Sequence, residues 1–322
     1  MAHSNLNLFH PFLSVETAQK LLKKGYHKNQ VENYEQKSYQ NAYSFIYFIE
    51  HGLTYLQQTK NSPLSIKPVL LFYGMIQLLK ACLLTVDPSY PESTAVLAHG
   101  VSTRKRKKQS YEFIQDEVKI QKNGLFSHIS DKMFHVKQME GTKYSMQELL
   151  YSIPELEEAI KITKNKIPFL PIGLATASTV SIPLTILDDY KLTQDRFIQY
   201  FQTHTSFKHL ANEQPKQMMT FSGTQENQSL SYSPLLYHHQ NSMLYITRKK
   251  EHFTFFPEVL VHYLLLYNLS MICRYETEWW GELLHTFNSS DLSLIIQFLD
   301  ITAGKTAHYL HTFLMRVFDI EE

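Results

Sequence analysis

The chain has 322 residues, 43% hydrophobic and 19% charged, with a net charge of +1. That composition excludes a disordered or fibrous chain and provides for a sizeable core. The near-neutral balance excludes a whole-molecule field that would favour nucleic acid or an anionic membrane. Two cysteines, Cys82 and Cys273, lie inside apolar helix-like runs. They read as buried reduced thiols, which fits a reducing cytoplasm. The first sixteen residues lack a basic stretch followed by a continuous apolar one, so no signal peptide is expected. The longest apolar runs, 69–86 and 259–273, are interrupted by Gln77 and Lys80 and by His262, Asn268 and Ser270. They read as core helices and not as membrane spans.

In chain order, an extended arm leads into a short helix over 15–24, with Gly25 as its stop. A longer helix is expected over 32–59, because Ala42, Phe45, Ile46, Ile49, Leu53 and Leu56 recur at helical spacing. Residues 68–85 are apolar almost all round, which predicts a central helix. Its polar exceptions, Tyr73, Gln77 and Lys80, fall at i, i+4 and i+7 and share one face. That face is either a strip grazing solvent or a polar wall lining a pocket. Two X-Pro pairs at 87–91 make a turn. A short helical turn over 94–98 then reaches His99-Gly100, and five consecutive cations follow at 104–108. From Tyr111 the period changes to two, and Asn123-Gly124 is a hairpin signal.

The helix over 146–160 is broken at Pro154. Strands are expected over 167–175, 181–187, 217–222, 229–236 and 242–247, with a helix over 193–204. Helices return over 258–275, 277–287 and 290–318, with Gly304 bending or splitting the last. The expected class is α+β: N- and C-terminal helical blocks packed around two apolar helices, with a β-rich middle segment. The three segments are 1–165, 166–250 and 251–322.

Three blocks, KPVLLFYGMIQLLKACLLT, LAHGVSTRKRKK and DEVKIQKNGLF, resemble the YaaC-like family of Bacillus and related Firmicutes, as does LSMICRYETEWWGELL near the C-terminus. The resemblance covers nearly the whole chain. It implies no activity, cofactor or catalytic residue. It does imply a frequent gene location beside that of IMP dehydrogenase, an association with purine nucleotide metabolism.

The basic block is the best candidate site. Adjacent cations repel one another unless an anion or solvent screens them. Gly100 would let backbone approach a phosphate, Ser102 and Thr103 would donate hydroxyls, and Arg104 and Arg106 would grip it bidentately. The alternative is a solvated loop, partly neutralised by Asp116 and Glu117. His99 reads as a general base, a phosphate ligand or simply a packing residue. Tyr263, Tyr267, Ser270 and Arg274 lie on one face of the second apolar helix. Arg274 either complements that helix's C-terminal dipole or, with Lys80, lines one cavity beside the basic loop. Trp279-Trp280 reads as packing or as a stacking platform.

Several motifs fail. LDITAGKT ends like a phosphate-binding P-loop but has Leu299 in place of the first glycine, within helix-like sequence. No His-Glu-x-x-His, Cys-x-x-Cys or Gly-x-Ser-x-Gly occurs, and His308 with His311 lacks a further ligand at metal spacing. The Arg-then-His spacing of helical RNA-cleaving domains is also absent. Neither a metal nor a cofactor is expected, and no catalytic residue is assigned. The sequence supports a cytoplasmic binding or regulatory protein for a phosphorylated ligand, nucleotide or nucleic acid. The alternatives are a phosphate-handling hydrolase or nuclease, and a protein-interaction subunit linked to purine metabolism.

Overall fold

Residues 6–103, 112–210, 217–223, 234–249, 257–286 and 289–320 are described by a computed structural model. The basic block 104–108, with Arg104 and Arg106, lies outside the described residues, as does most of the strand expected over 229–236. The chain divides into two units. One joins Met1–Met146 to His262–Glu322, and the other is the intervening Gln147–Val261. The class is α+β, with helices at both ends and small sheets between.

The helical unit opens with a 3-10 helix, Leu6–Leu13, that buries Leu6, Phe9 and Phe12. The first α-helix, α1 (Val15–Lys28), begins where the Ser14 hydroxyl accepts from the Thr17 amide. It runs straight through Gly25, which packs against Val317 and Phe318. The burial of that face outweighs the local tendency of glycine to end a helix. Helix α2 (Tyr34–Gln58) buries the six-residue stripe its spacing predicts. Helix α3 (Lys67–Val86) starts with Pro68 in its first turn, where no intrahelical donor is lost. Its closest neighbours are α2 and, from the C-terminal segment, the helix that follows Ser290. Gly52 and Gly74 let α2 and α3 approach backbone to backbone, since a Cβ at Gly74 would sit 3.2 Å from the Gly52 carbonyl oxygen. Among the described residues α3 is the one helix long and apolar enough to cross a membrane, and most of it is buried inside this unit.

After α3 the chain makes a turn and a 3-10 helix, Thr94–Leu97, and enters a three-stranded antiparallel sheet. Its strands are β1 (Val101–Thr103), the central β2 (Glu117–Ile120) and β3 (Lys143–Ser145), with Val101 opposite Ile120. The expected hairpin at Asn123-Gly124 is instead the entry to helix α4 (Leu125–Phe134). Leu125 and Phe126 donate their amides to the carbonyls of Ala98 and His99, so the residues after the glycine bond to a loop and not to a returning strand.

In the inserted unit, α5 (Met146–Leu150) and α6 (Glu157–Lys164) are separated by a 3-10 turn that starts at Pro154. The strands β4 (Phe169–Leu174) and β5 (Thr179–Pro183) come next. The strand expected to reach 187 stops at Pro183, and residues Ile186–Tyr190 form α7 instead. Asp188 and Asp189 in its first turn complement the helix dipole. Helix α8 (Gln194–His204) precedes β6 (Lys208–His209), β7 (Met218–Ser222), β8 (Leu235–His238) and β9 (Met243–Thr247). The strand orders are β4-β9-β8 and β5-β7-β6, all pairs antiparallel.

The chain returns to the helical unit along α9 (Glu258–Tyr275), followed by α10 (Thr277–Thr286) and α11 (Asp291–Val317). Helix α11 runs unbroken through Gly304. A mid-helix glycine costs roughly 1 kcal/mol, which the burial of Phe298, Leu299, Leu310 and Leu314 offsets.

Candidate functional site

The site is built on α3, α9 and the loop entering β1. Helix α9 meets α3 through rings and not through close backbones. Phe72, fully buried on α3, lies 5.5 Å from Tyr263 and 5.7 Å from Tyr267, both edge-on. These bulky side chains set the two helices apart.

His99 packs against these rings. Its imidazole has three aromatic neighbours: Phe72 at 5.1 Å, Tyr267 at 5.7 Å and Tyr73 at 6.2 Å between ring centres. Its carbonyl oxygen accepts from the Phe126 amide at 3.1 Å and from the Tyr263 hydroxyl at 2.8 Å. The residue is thus fixed by its backbone from two helices, while its ring Nδ1 is buried and has no hydrogen-bond partner. Burial holds the imidazole below its usual pKa, and the charges of Arg274 and Lys80 push it further in the same direction.

Arg274, in the last turn of α9, donates from Nε to the Ser270 carbonyl at 3.1 Å and from Nη1 to the Tyr73 hydroxyl at 3.3 Å. Its guanidinium lies over the Tyr275 and Tyr73 rings at 5.1 and 5.8 Å. Lys80 is half-buried, its Nζ 5.8 Å from the Phe48 ring centre, and burial lowers its pKa. Among the described residues no carboxylate lies within ion-pair distance of Lys80 or Arg274. Gln77, between Tyr73 and Lys80 on the same face, has a buried Oε1 without a partner. The polar face of α3 thus carries a cation and an unsatisfied amide oxygen, and the neighbouring aromatic cluster carries Arg274 and the unsatisfied His99 Nδ1. Buried or half-buried polar groups are rarely left in that state, because each forgoes the hydrogen bonds it had in water.

Arg274 and His99 thus share the Tyr73 side chain, and the charge of Lys80, farther along α3, also acts on the His99 ring. Ser102 and Thr103 lie on β1, next in sequence to Gly100. The Ser102 hydroxyl already accepts from the Gln121 carboxamide at 2.6 Å. Gly100 has a positive φ of 77° and its close neighbour is the backbone of Gly124, so its freedom serves packing of the loop against the start of α4. Arg104 and Arg106 lie outside the described residues. Trp280 is buried and its indole donates to the Ser65 carbonyl at 3.1 Å, an anchoring role. Among the described residues no group of three or more His, Cys, Asp or Glu side chains is placed to hold a metal ion.

Replacing Tyr263 by phenylalanine isolates one support of this site. The Phe126 amide still serves the His99 carbonyl, so the expected loss is a single hydrogen bond of about 1 kcal/mol. Urea unfolding of Tyr263→Phe checks it, and an unchanged midpoint would show that the hydroxyl does not hold the loop.

The model of the YaaC-like protein family matches residues 10–314. The chain belongs to the YaaC-like family. No curated protein and no solved structure matches it. The YaaC-like span contains Lys80, His99, Arg274 and every residue that packs on them. The sequence reading of this YaaC-like chain did not single out Phe72, whose central place follows only from its burial among four rings. Nor did it connect Asp87 with His128, which pair at 2.7 Å between the end of α3 and α4. Asp87-Pro88 carries a turn signal, and nothing in the chain links it to a histidine 41 residues on.

Proposed function

We propose that this YaaC-like protein is a cytoplasmic binding or regulatory protein that recognises a small phosphorylated ligand of the nucleotide class at the His99–Lys80–Arg274 cluster. The observation that carries the reading is the presence of two cations acting on one half-buried imidazole with no carboxylate to balance them among the described residues. A bound phosphate supplies the missing countercharge and acceptors for both. Arginine engages two phosphate oxygens at once, and the lysine adds a point charge. The cations of 104–108 follow β1 directly in sequence. A net charge of +1 supports a site for one ligand over a broad nucleic-acid surface. The gene neighbourhood that family resemblance implies favours a purine nucleotide, or a partner from purine metabolism, among phosphorylated ligands.

The test is titration calorimetry with inorganic phosphate and a purine nucleotide panel at fixed salt. Charge-assisted hydrogen bonds contribute about 1.5–3 kcal/mol each, so Lys80→Ala and Arg274→Ala should each weaken binding by about tenfold or more. Arg104→Ala with Arg106→Ala measures the share of the basic block. Absence of binding across the panel would overturn the reading. Tight binding of a single-stranded oligonucleotide with a steep salt dependence would replace it with a nucleic-acid function.

A further inference from the structure

We propose that the cluster takes up its anion together with a proton, carried by His99, so that occupancy of the site is set by pH as well as by ligand. The inference rests on the anion-binding reading above and adds its regulation. The groups that face His99 fix the argument. From α3 come Phe72, Tyr73 and Lys80; from α9 come Tyr263, Tyr267 and Arg274; from α4 comes the Phe126 amide, on the His99 carbonyl. Among the described residues none of these is a carboxylate. With the site empty, a proton on the imidazole would be a third cation beside two others, in a half-buried setting. The ring is therefore neutral near neutral pH.

An anion held by Lys80 and Arg274 reverses the sign of the field at the ring. The same imidazole then gains stability from its proton, and its buried Nδ1, which has no hydrogen-bond partner, is a donor in the protonated ring. Because binding and protonation are linked, whatever raises the affinity of one raises that of the other by the same factor. The sign follows directly. The bound state holds more protons than the free state, so affinity rises as pH falls through the interval between the two imidazole pKa values. It levels off on either side. Within that interval the limiting slope for one proton is about tenfold in affinity per pH unit.

The experiment uses the full chain and inorganic sulfate, which carries no exchangeable proton near neutrality. Calorimetry at pH 7 in two buffers of different ionisation enthalpy counts the protons taken up per anion bound. Net proton uptake is expected in the wild-type protein, with a dissociation constant that tightens from pH 8 to pH 6. In His99→Gln the uptake should vanish. Inorganic phosphate is measured in parallel as a second anion probe, and the proton count is read from sulfate, whose charge does not change over this range. Sulfate binding without proton uptake in the wild type overturns the inference and leaves the anion site standing. Uptake that persists in a folded His99→Gln protein overturns it as well, by placing the proton elsewhere. No binding of either anion removes the site itself. The wild-type count does not depend on whether the variant folds.

Discussion

Replacing Gly124 by alanine should destabilise the protein by roughly 3–5 kcal/mol, the sum of a forbidden backbone conformation and a backbone overlap. Gly124 has φ 132°, outside the range an L side chain adopts without strain. A Cβ there would lie 2.3 Å from the Gly100 Cα and 2.4 Å from its nitrogen. Neither atom belongs to a flexible side chain that could swing away, so the loop entering β1 has to move. That loop carries His99. Its position is fixed by the amides of Leu125 and Phe126, the two residues after Gly124. The same substitution should therefore weaken anion binding in whatever fraction remains folded. Gly100→Ala is the milder comparison. Its φ is 77° and its nearest neighbours would lie at 3.0–3.1 Å, which predicts a loss of roughly 1–3 kcal/mol. Since the whole fold is stable by only about 5–15 kcal/mol, the two variants should be ranked readily by urea unfolding. An unchanged midpoint for Gly124→Ala would mean that the two glycines do not cross as described.

The sequence made the helices legible where one physical term dominated. Residues 68–85 are apolar on nearly every side, and only a central helix can bury such a surface. The six-residue stripe of α2 is likewise unambiguous. The polar face of α3 was visible because Tyr73, Gln77 and Lys80 recur at helical spacing, and Arg274 because a cation in a last turn stands out on an apolar helix. What the sequence could not show was anything decided by a partner distant along the chain. Asn123-Gly124 carries a strong local hairpin signal, but its neighbours are the loop 98–100 and not a second strand. Gly25 and Gly304 weaken their helices locally, yet both helices are held by the faces they bury. The expected pairing of α3 with α9 is real at the level of rings, while the closest backbones to α3 belong to α2 and α11. Periodicity reports which face is buried. It does not report how far the side chains on that face will hold the next helix away.

Phe72 tests that last point. Phe72→Ala is expected to cost about 3–5 kcal/mol, the usual range for deleting a fully buried aromatic ring and leaving a cavity. Its ring touches Tyr73, His99, Tyr263 and Tyr267, so the loss falls on both helices and on the candidate site at once. Phe72→Leu keeps most of the volume but loses the ring edges and should cost no more than about 1–2 kcal/mol. The leucine variant separates stability from function. It should remain folded at room temperature, yet its imidazole loses the nearest of its three aromatic neighbours. Anion affinity should then fall by about threefold to tenfold, because a ring that must be ordered on binding forfeits part of the gain. A double-mutant cycle between Phe72→Leu and His99→Gln, read in binding, should give a coupling energy of about 0.5 kcal/mol or more. Full additivity would mean that Phe72 supports the helix pair alone and that His99 is positioned by its backbone bonds.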